Sequence, residues 1–402
     1  MVMKMKKNFG IINAKIYTMC DVFSSKENNL GIINNGFVLV SDGKIIEVGD
    51  MTNYLGQCES TFEANGMSLY PGFVDAHTHL GVFNNGLAFE GSDGNEDSDP
   101  VTPGLRALDA VNPQDVCFTE ALRAGVTTVL TSPGSANPIA GQILAVKTLG
   151  NRVDEMIVKS PVAMKFSLGE NPKSVYHDKD KSPVTRMATA ALIRDALCKA
   201  KKYFIDKKNF YENSEKYDEP EFDFDCEALC PLFDKSMQAH FHAHRADDIF
   251  TAIRIAKEFD LEYVIVHGTE GHLIADDLVA ENTRVLAGPF LSDRSKPELM
   301  NMTPKGVGIM ATKGILMAIV TDHPETPIQY LPVCAAIAVR EGLSYGTALK
   351  SITIDAAKIC GIDDRVGSIE TGKDADFALF NGDPLLLSNP IAVWCNGEYC
   401  KF

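Results

Sequence analysis

Residues 71–81 read PGFVDAHTHLG. Pro71-Gly72 punctuates the chain, a short apolar run follows at 73–76, and His77 and His79 close it. Side chains at i and i+2 of a strand point to the same side. Two imidazoles therefore converge at the strand's C-terminal end, where barrels of parallel strands carry their active sites. Neutral imidazole is a common metal ligand. One H-x-H on its own also fits an ordinary polar strand end, so the rest of the chain has to decide.

Outward from this stretch, apolar runs recur at 73–76, 127–131, 143–146, 162–166, 237–241, 263–266, 284–287 and 315–321. Helix-like periodicity lies between many of them, as at 113–124 and 246–258, and again at 345–360 after the last. Eight strands alternating with helices over 68–362 predict an α/β protein built on a (β/α)8 TIM-like barrel. No G-x-G-x-x-G follows an early strand, which counts against a doubly wound dinucleotide fold. The two chain ends look alike. FVLVSDGKIIEV (37–48) and IAVWCNGEY (391–399) each place a two-residue Asp-Gly or Asn-Gly turn between apolar runs, the mark of a β-hairpin. The simplest account is a small β-sandwich domain made from both ends, 1–67 and 363–402, with the barrel inserted between them. The polar, aromatic-rich stretch 203–231 reads as an insertion or lid between two barrel strands.

Composition narrows the function. The 402 residues hold 38 Lys and Arg against 54 Asp and Glu, a net charge of −16. So acidic a chain is a poor binder of nucleic acid or of an anionic membrane through its overall field. No apolar run approaches the ~18 residues of a membrane span. The start at 1–7 is basic, but the half-polar stretch behind it lacks the unbroken apolar core of a signal peptide. Ten cysteines, mostly scattered singly, read as reduced thiols of a cytoplasmic protein. Cys226 and Cys230 form the one C-x3-C pair, with no matching His or Cys nearby to complete a structural zinc site.

The other histidines repeat the pattern of the opening stretch. His240, His242 and His244 stand in AHFHAHRADD at the end of the fifth predicted strand. His267 ends the sixth, in YVIVHG, and Asp322 ends the eighth, in AIVTDHP, with His323 beside it. Each alone fits a satisfied structural residue. Four such positions at the ends of strands one, five, six and eight argue for a shared site.

This constellation resembles the amidohydrolase superfamily of metal-dependent hydrolases. PGFVDAHTHLG matches its first-strand signature, and GSIETGKDADFALFNGDP (367–384) resembles the return into its flanking β-domain. Within the superfamily the chain looks most like imidazolonepropionase-related amidohydrolases. The resemblance implies divalent metal, one or two ions per chain. Zinc is the first choice, and manganese, iron or cobalt also suit such ligands. It implies His77, His79, His242, His267 and Asp322 as ligands, with Asp322 doubling as general base. Lys165, in VAMKFSLGENPK, sits where binuclear members place a carboxylated lysine; Glu170 is the fallback bridging carboxylate. Single-metal deaminases carry Glu three residues after the fifth-strand His, but position 245 here is Arg. His244 is then a candidate to stabilise an oxyanion. Arg245 and Glu170 are candidates to face the substrate, Arg245 as a bidentate carboxylate clamp. For Arg245, an ordinary helix-start salt bridge to Asp247 or Asp248 is the competing reading. The expected activity is hydrolysis of an amide-type C–N bond in a dipeptide, N-acyl amino acid or cyclic amide. The alternative is a mononuclear deaminase or an imidazolone-type ring-opening hydrolase. A scaffold that has lost its ligands is disfavoured, because the set is complete. The expected partner is a small molecule, and a homo-oligomer is compatible with the resemblance.

Overall fold

A computed structural model describes residues 2–3, 8–24, 29–56 and 58–400. Residues 1 and 4–7 of the basic start lie outside the described residues. The barrel sheet contains β1 (Phe73–Thr78), β2 (Val126–Thr131), β3 (Ile139–Lys147) and β4 (Ile157–Ser167), then β5 (Gln238–Ala243), β6 (Tyr263–His267), β7 (Val285–Ala287) and β8 (Met317–Ile319). Each strand pairs with the next in chain order, and β8 returns to β1, so the sheet is nearly closed. The strands are almost continuously buried, as expected for a sheet covered on both faces.

One strand departs from the (β/α)8 expectation. β3 runs antiparallel to both β2 and β4. The chain reaches it from β2 through a loop at 132–138 rather than through a crossover helix. An antiparallel pair needs no crossover, and that loop stays on the face where the other strands end. Of the two readings of 203–231, insertion or lid, the structure supports insertion. Its first part, to Glu212, continues the 27-residue helix Arg186–Glu212, and its last part contains the short helix Phe224–Leu229. The segment is an insertion between β4 and β5, but none of its residues lines the cavity described below.

The second sheet has nine strands drawn from both chain ends. Ser68–Pro71 pairs antiparallel with Phe377–Phe380 and so joins the two ends. The two expected hairpins form. Asp42-Gly43 and Asn396-Gly397 all have positive φ, the backbone of a type I′ turn. The turns also touch. A Cβ on Gly397 would lie 2.9 Å from the Gly43 Cα, and one on Gly43 would lie 2.7 Å from the Asn396 carbonyl. Glycine is thus demanded by close approach as well as by φ. A buried charge network ties this sheet to the barrel. Lys147, at the end of β3, pairs with Asp376 and at 2.9 Å with Asp374, which Lys44 and Arg365 also reach. No helix among the described residues is long and apolar enough to cross a membrane.

Candidate metal centre

The ends of β1, β5, β6 and β8 bring their histidines and one aspartate together. His77 and His79 each place Nε2 against Asp322 Oδ1, at 3.2 and 3.3 Å. His242, His244 and His267 form a second group, with ring centroids 4.4 to 4.7 Å apart. The two groups meet where the His77 ring stands 5.5 Å from that of His267. All these residues are buried.

Local backbone aims them. On β5, alternation puts His240 and His242 on one side, and His244 follows directly after the strand. The register sets Ser167 beside His242, and Lys165 beside His240 one step deeper. His267 and Asp322 both take positive φ, 72° and 54°. Such a conformation costs a non-glycine residue on the order of 1–3 kcal/mol and concentrates at functional sites. Here it falls at the last residue of β6 and just past β8, at the end of the barrel where the side chains meet.

Outer contacts fix which nitrogen is free. A carbonyl only accepts, so His79 Nδ1 donates to Ser132 O and His267 Nδ1 to Gly288 O, both at 2.8 Å. Both rings then present an unprotonated Nε2. His244 Nδ1 meets Thr269 Oγ1 at 2.7 Å. Gly288 has φ 145°, and a Cβ there would lie 2.1 Å from the Val320 carbonyl, so no larger residue fits beside His267.

Electrostatics agree. Burial holds His77, His242 and His244 well below the usual histidine range and His267 at about 4, so these rings are neutral lone-pair donors at pH 7. Burial pushes the Asp322 carboxyl up, but His267, His77 and His79 outweigh it and hold it well below the usual range. Lys165 is wholly buried, and burial lowers its ammonium to about 8. Its Nζ is 3.4 Å from His77 Nε2.

The donor set fits a metal ion. Asp322 Oδ1 and His242 Nε2 are buried without a hydrogen-bond partner. Such orphans are rare in proteins and ask for a ligand. Atoms bound at about 2.0–2.1 Å around a tetrahedral ion stand about 3.3–3.4 Å apart, close to the spacing of the His77, His79 and Asp322 donors. Two groups have metal-ligating spacing: His77, His79 and Asp322, and His242, His244 and His267.

The two substrate-facing candidates stand elsewhere. Arg245 pairs through two contacts of 2.9 Å with Asp247, at the start of helix Ala246–Phe259. That helix carries Asp247 and Asp248 in its first turn, where acids suit the helix dipole, so the competing reading of Arg245 describes its place. Arg245 and Glu170 line a neighbouring pocket. Glu170 lies in the first turn of helix Glu170–His177 and does not reach the histidines as a bridging group.

The cavity over the cluster holds about 460 Å³, lined by His79, His242, His244, His267 and Asp322 together with Ser135, Asn171 and Lys296. Three residues here were not singled out in the sequence. Glu298, on the loop after β7, has a carboxylate almost wholly buried, 3.6 and 3.8 Å from Nε2 of His244 and His242. Lys296 lies 2.7 Å from its Oε1. Asp75 accepts from Thr321 Oγ1 at 2.6 Å and from His77 N at 3.3 Å, tying β1 to the segment after β8. Only Asp75 left a signal, because it shares the i, i+2 spacing of His77 and His79.

Comparison with known proteins supports this reading. The amidohydrolase family model matches residues 68–400. An amidohydrolase structure from Thermotoga maritima MSB8 superposes with TM-score 0.90 at 40% identity, covering 97% of this chain and 99% of the other. The amidohydrolase tasK of Hapsidospora irregularis is 29% identical over 90% of this chain, which spans only 39% of that longer protein. An imidazolonepropionase from Mesorhizobium japonicum is 23% identical, over 92% of this chain and 91% of the other. A match across the whole barrel and the C-terminal strands of the second sheet, over strand ends carrying this cluster, places the chain in the amidohydrolase family, as an enzyme with imidazolonepropionase-like relatives.

Proposed function

We propose that the protein is a metal-dependent hydrolase of an amide-type C–N bond in a small molecule: a dipeptide, an N-acyl amino acid or a cyclic amide. One observation carries the reading. Metal-ligating side chains of His77, His79, His242, His267 and Asp322 converge beneath a cavity, and Asp322 Oδ1 and His242 Nε2 among them are buried without a hydrogen-bond partner. In this reading 68–362 is the metal-binding barrel, flanked by a small β-domain from 1–67 and 363–402. The free cysteines fit a reduced, cytoplasmic setting.

His77, His79, His242 and His267 would hold a divalent ion, zinc first, through nitrogen and Asp322 through oxygen; when bound, it would supply Lewis acidity and water acidified toward neutral pH. Asp322, ionised at neutral pH, accepts a proton from the attacking water and returns it to the leaving nitrogen. His244, held by Thr269, stands beside the cluster to steady the developing oxyanion. Lys165, with its ammonium lowered to about 8, holds a share of free amine near neutrality, as carbamate formation from carbon dioxide requires.

A second reading, a mononuclear deaminase or imidazolone-type ring opening, draws on Glu298. From a different loop, it supplies near His242 the buried carboxylate that position 245 lacks. Metal content per chain, on protein purified without chelator, separates the two. About two ions, falling with Lys165→Ala, is expected for a carbamate-bridged hydrolase. One ion, unchanged in that variant, supports the second reading. None, even after zinc or manganese is added, overturns both.

A further inference from the structure

The carboxylate clamp expected at Arg245 is not in the cavity, and the structure offers another cation in its place. Lys296 is the one lysine or arginine among the described residues that line the cavity over the histidines. It is not a free surface charge. Its Nζ lies 2.9 Å from Asn171 Oδ1 and 2.7 Å from Glu298 Oε1. Glu298 is in turn fixed by the Glu170 N–H, which its Oε2 accepts at 2.9 Å. An ammonium has three N–H donors. The hydrogen bond to Asn171 uses one and the ion pair with Glu298 faces another, which leaves at least one for a ligand in the cavity.

Asn171 extends the arrangement. With its Oδ1 taken by Lys296, its Nδ2 donates to Ser135 Oγ at 2.7 Å. Ser135 accepts that bond, so its own hydroxyl hydrogen is free to donate. Lys296, Asn171 and Ser135 all line the cavity. They form an arc from the loop after β7, across the helix after β4, to the loop between β2 and β3. It presents one N–H of a cation and one O–H, a pair that suits the two oxygens of a carboxylate.

We propose that this arc anchors the free carboxylate of the substrate, so that the enzyme acts on N-acyl amino acids or short peptides rather than on neutral amides. The inference rests on the cavity being the substrate site, as in the proposed function. The two acidic lining residues do not oppose it. Asp322 is enclosed by the histidines, and Glu325 is exposed, on the segment after β8. A cavity of about 460 Å³ is of a size to take a dipeptide.

The test compares acids with their neutral counterparts. N-acetyl amino acids with small, aliphatic, aromatic and charged side chains, and the primary amide of each, are bound to the metal-loaded full chain. Binding is followed by ligand-observed NMR. At least one acid is expected to bind about tenfold or more tighter than its amide, as loss of a charge-assisted contact implies. Lys296→Met should erase that preference while keeping metal content and thermal midpoint. Ser135→Ala should reduce it by a smaller factor, and Lys296→Arg should retain part of it. Equal binding of acid and amide, no binding of any acid at millimolar concentration, or a preference that survives Lys296→Met would each overturn the proposal. Turnover of the same compounds is read separately. Acids that bind through Lys296 but are never cleaved would count against the hydrolase reading and leave the anchor standing. Amides cleaved as readily as acids would do the reverse.

Discussion

The two sides of the histidine cluster are built differently. On the β1 and β8 side, two Nε2 atoms already stand 3.2 and 3.3 Å from one carboxylate oxygen. On the β5 and β6 side, three neutral rings pack against one another. The carboxylate beside His244 and His242, Glu298, stays 3.6 and 3.8 Å away and is paired with Lys296. The first side combines charge with ligand spacing. The second offers only lone pairs, and it needs a bridging group to draw an ion to it. The first side should therefore bind its ion more tightly.

The strongest way to break this comparison is to remove its charge. Asp322→Asn is expected to lower hydrolysis by about 10³-fold or more, since in the proposed mechanism Asp322 is both a ligand and the base. It should also empty the β1 and β8 side first. A variant that keeps its full metal content and activity would sink the ligand assignment. Chelator titration is next. Metal should leave in two stages, with about one ion per chain lost at lower chelator and the rest at higher; a single concerted loss would mean the sides are equivalent.

A finer cut acts on one side alone. Gly288→Ala forces a Cβ against the Val320 carbonyl and displaces the carbonyl that holds His267 Nδ1. Outer contacts of this kind are worth about 10–100-fold in metal affinity. The loss should fall on the β5 and β6 side, and equal weakening of both ions would contradict it.

The smallest effect is a pH dependence of the metal-stripped protein. His267 is lowered from 6.5 to about 4 by burial, and His242 and His244 well below the usual range. The unfolded chain thus binds more protons than the folded one between these values. Stability is fully present above about pH 6.5 and is lost as pH falls toward 4. Thermal midpoints across that window should decline, less steeply in His267→Asn. A flat profile would show that these rings are not held neutral by the fold.

Much of the site was legible because strand alternation and strand ends are local. His77 and His79 share a side by i, i+2 spacing alone, and His242, His267 and Asp322 each close an apolar run. The terminal hairpins were legible for a similar reason, since Asp-Gly and Asn-Gly state their turn type directly. The direction of β3 was not. An apolar run at 143–146 reads the same in either direction, and only pairing with β2 and β4 reverses it. The place of Arg245 was also undecided, because a helix-start salt bridge and a substrate clamp look identical until the cavity is closed around one of them.

By itself, then, the order of residues determined a barrel with metal-ligand chemistry at its strand ends, because periodicity and residue type act over a few positions. Tertiary structure alone decided which charges meet. Glu298 lies 54 residues beyond His244 in sequence, yet burial forces it to share a wall with that ring and with Lys296. A buried carboxylate must find partners wherever the fold supplies them, and no local pattern records where that will be.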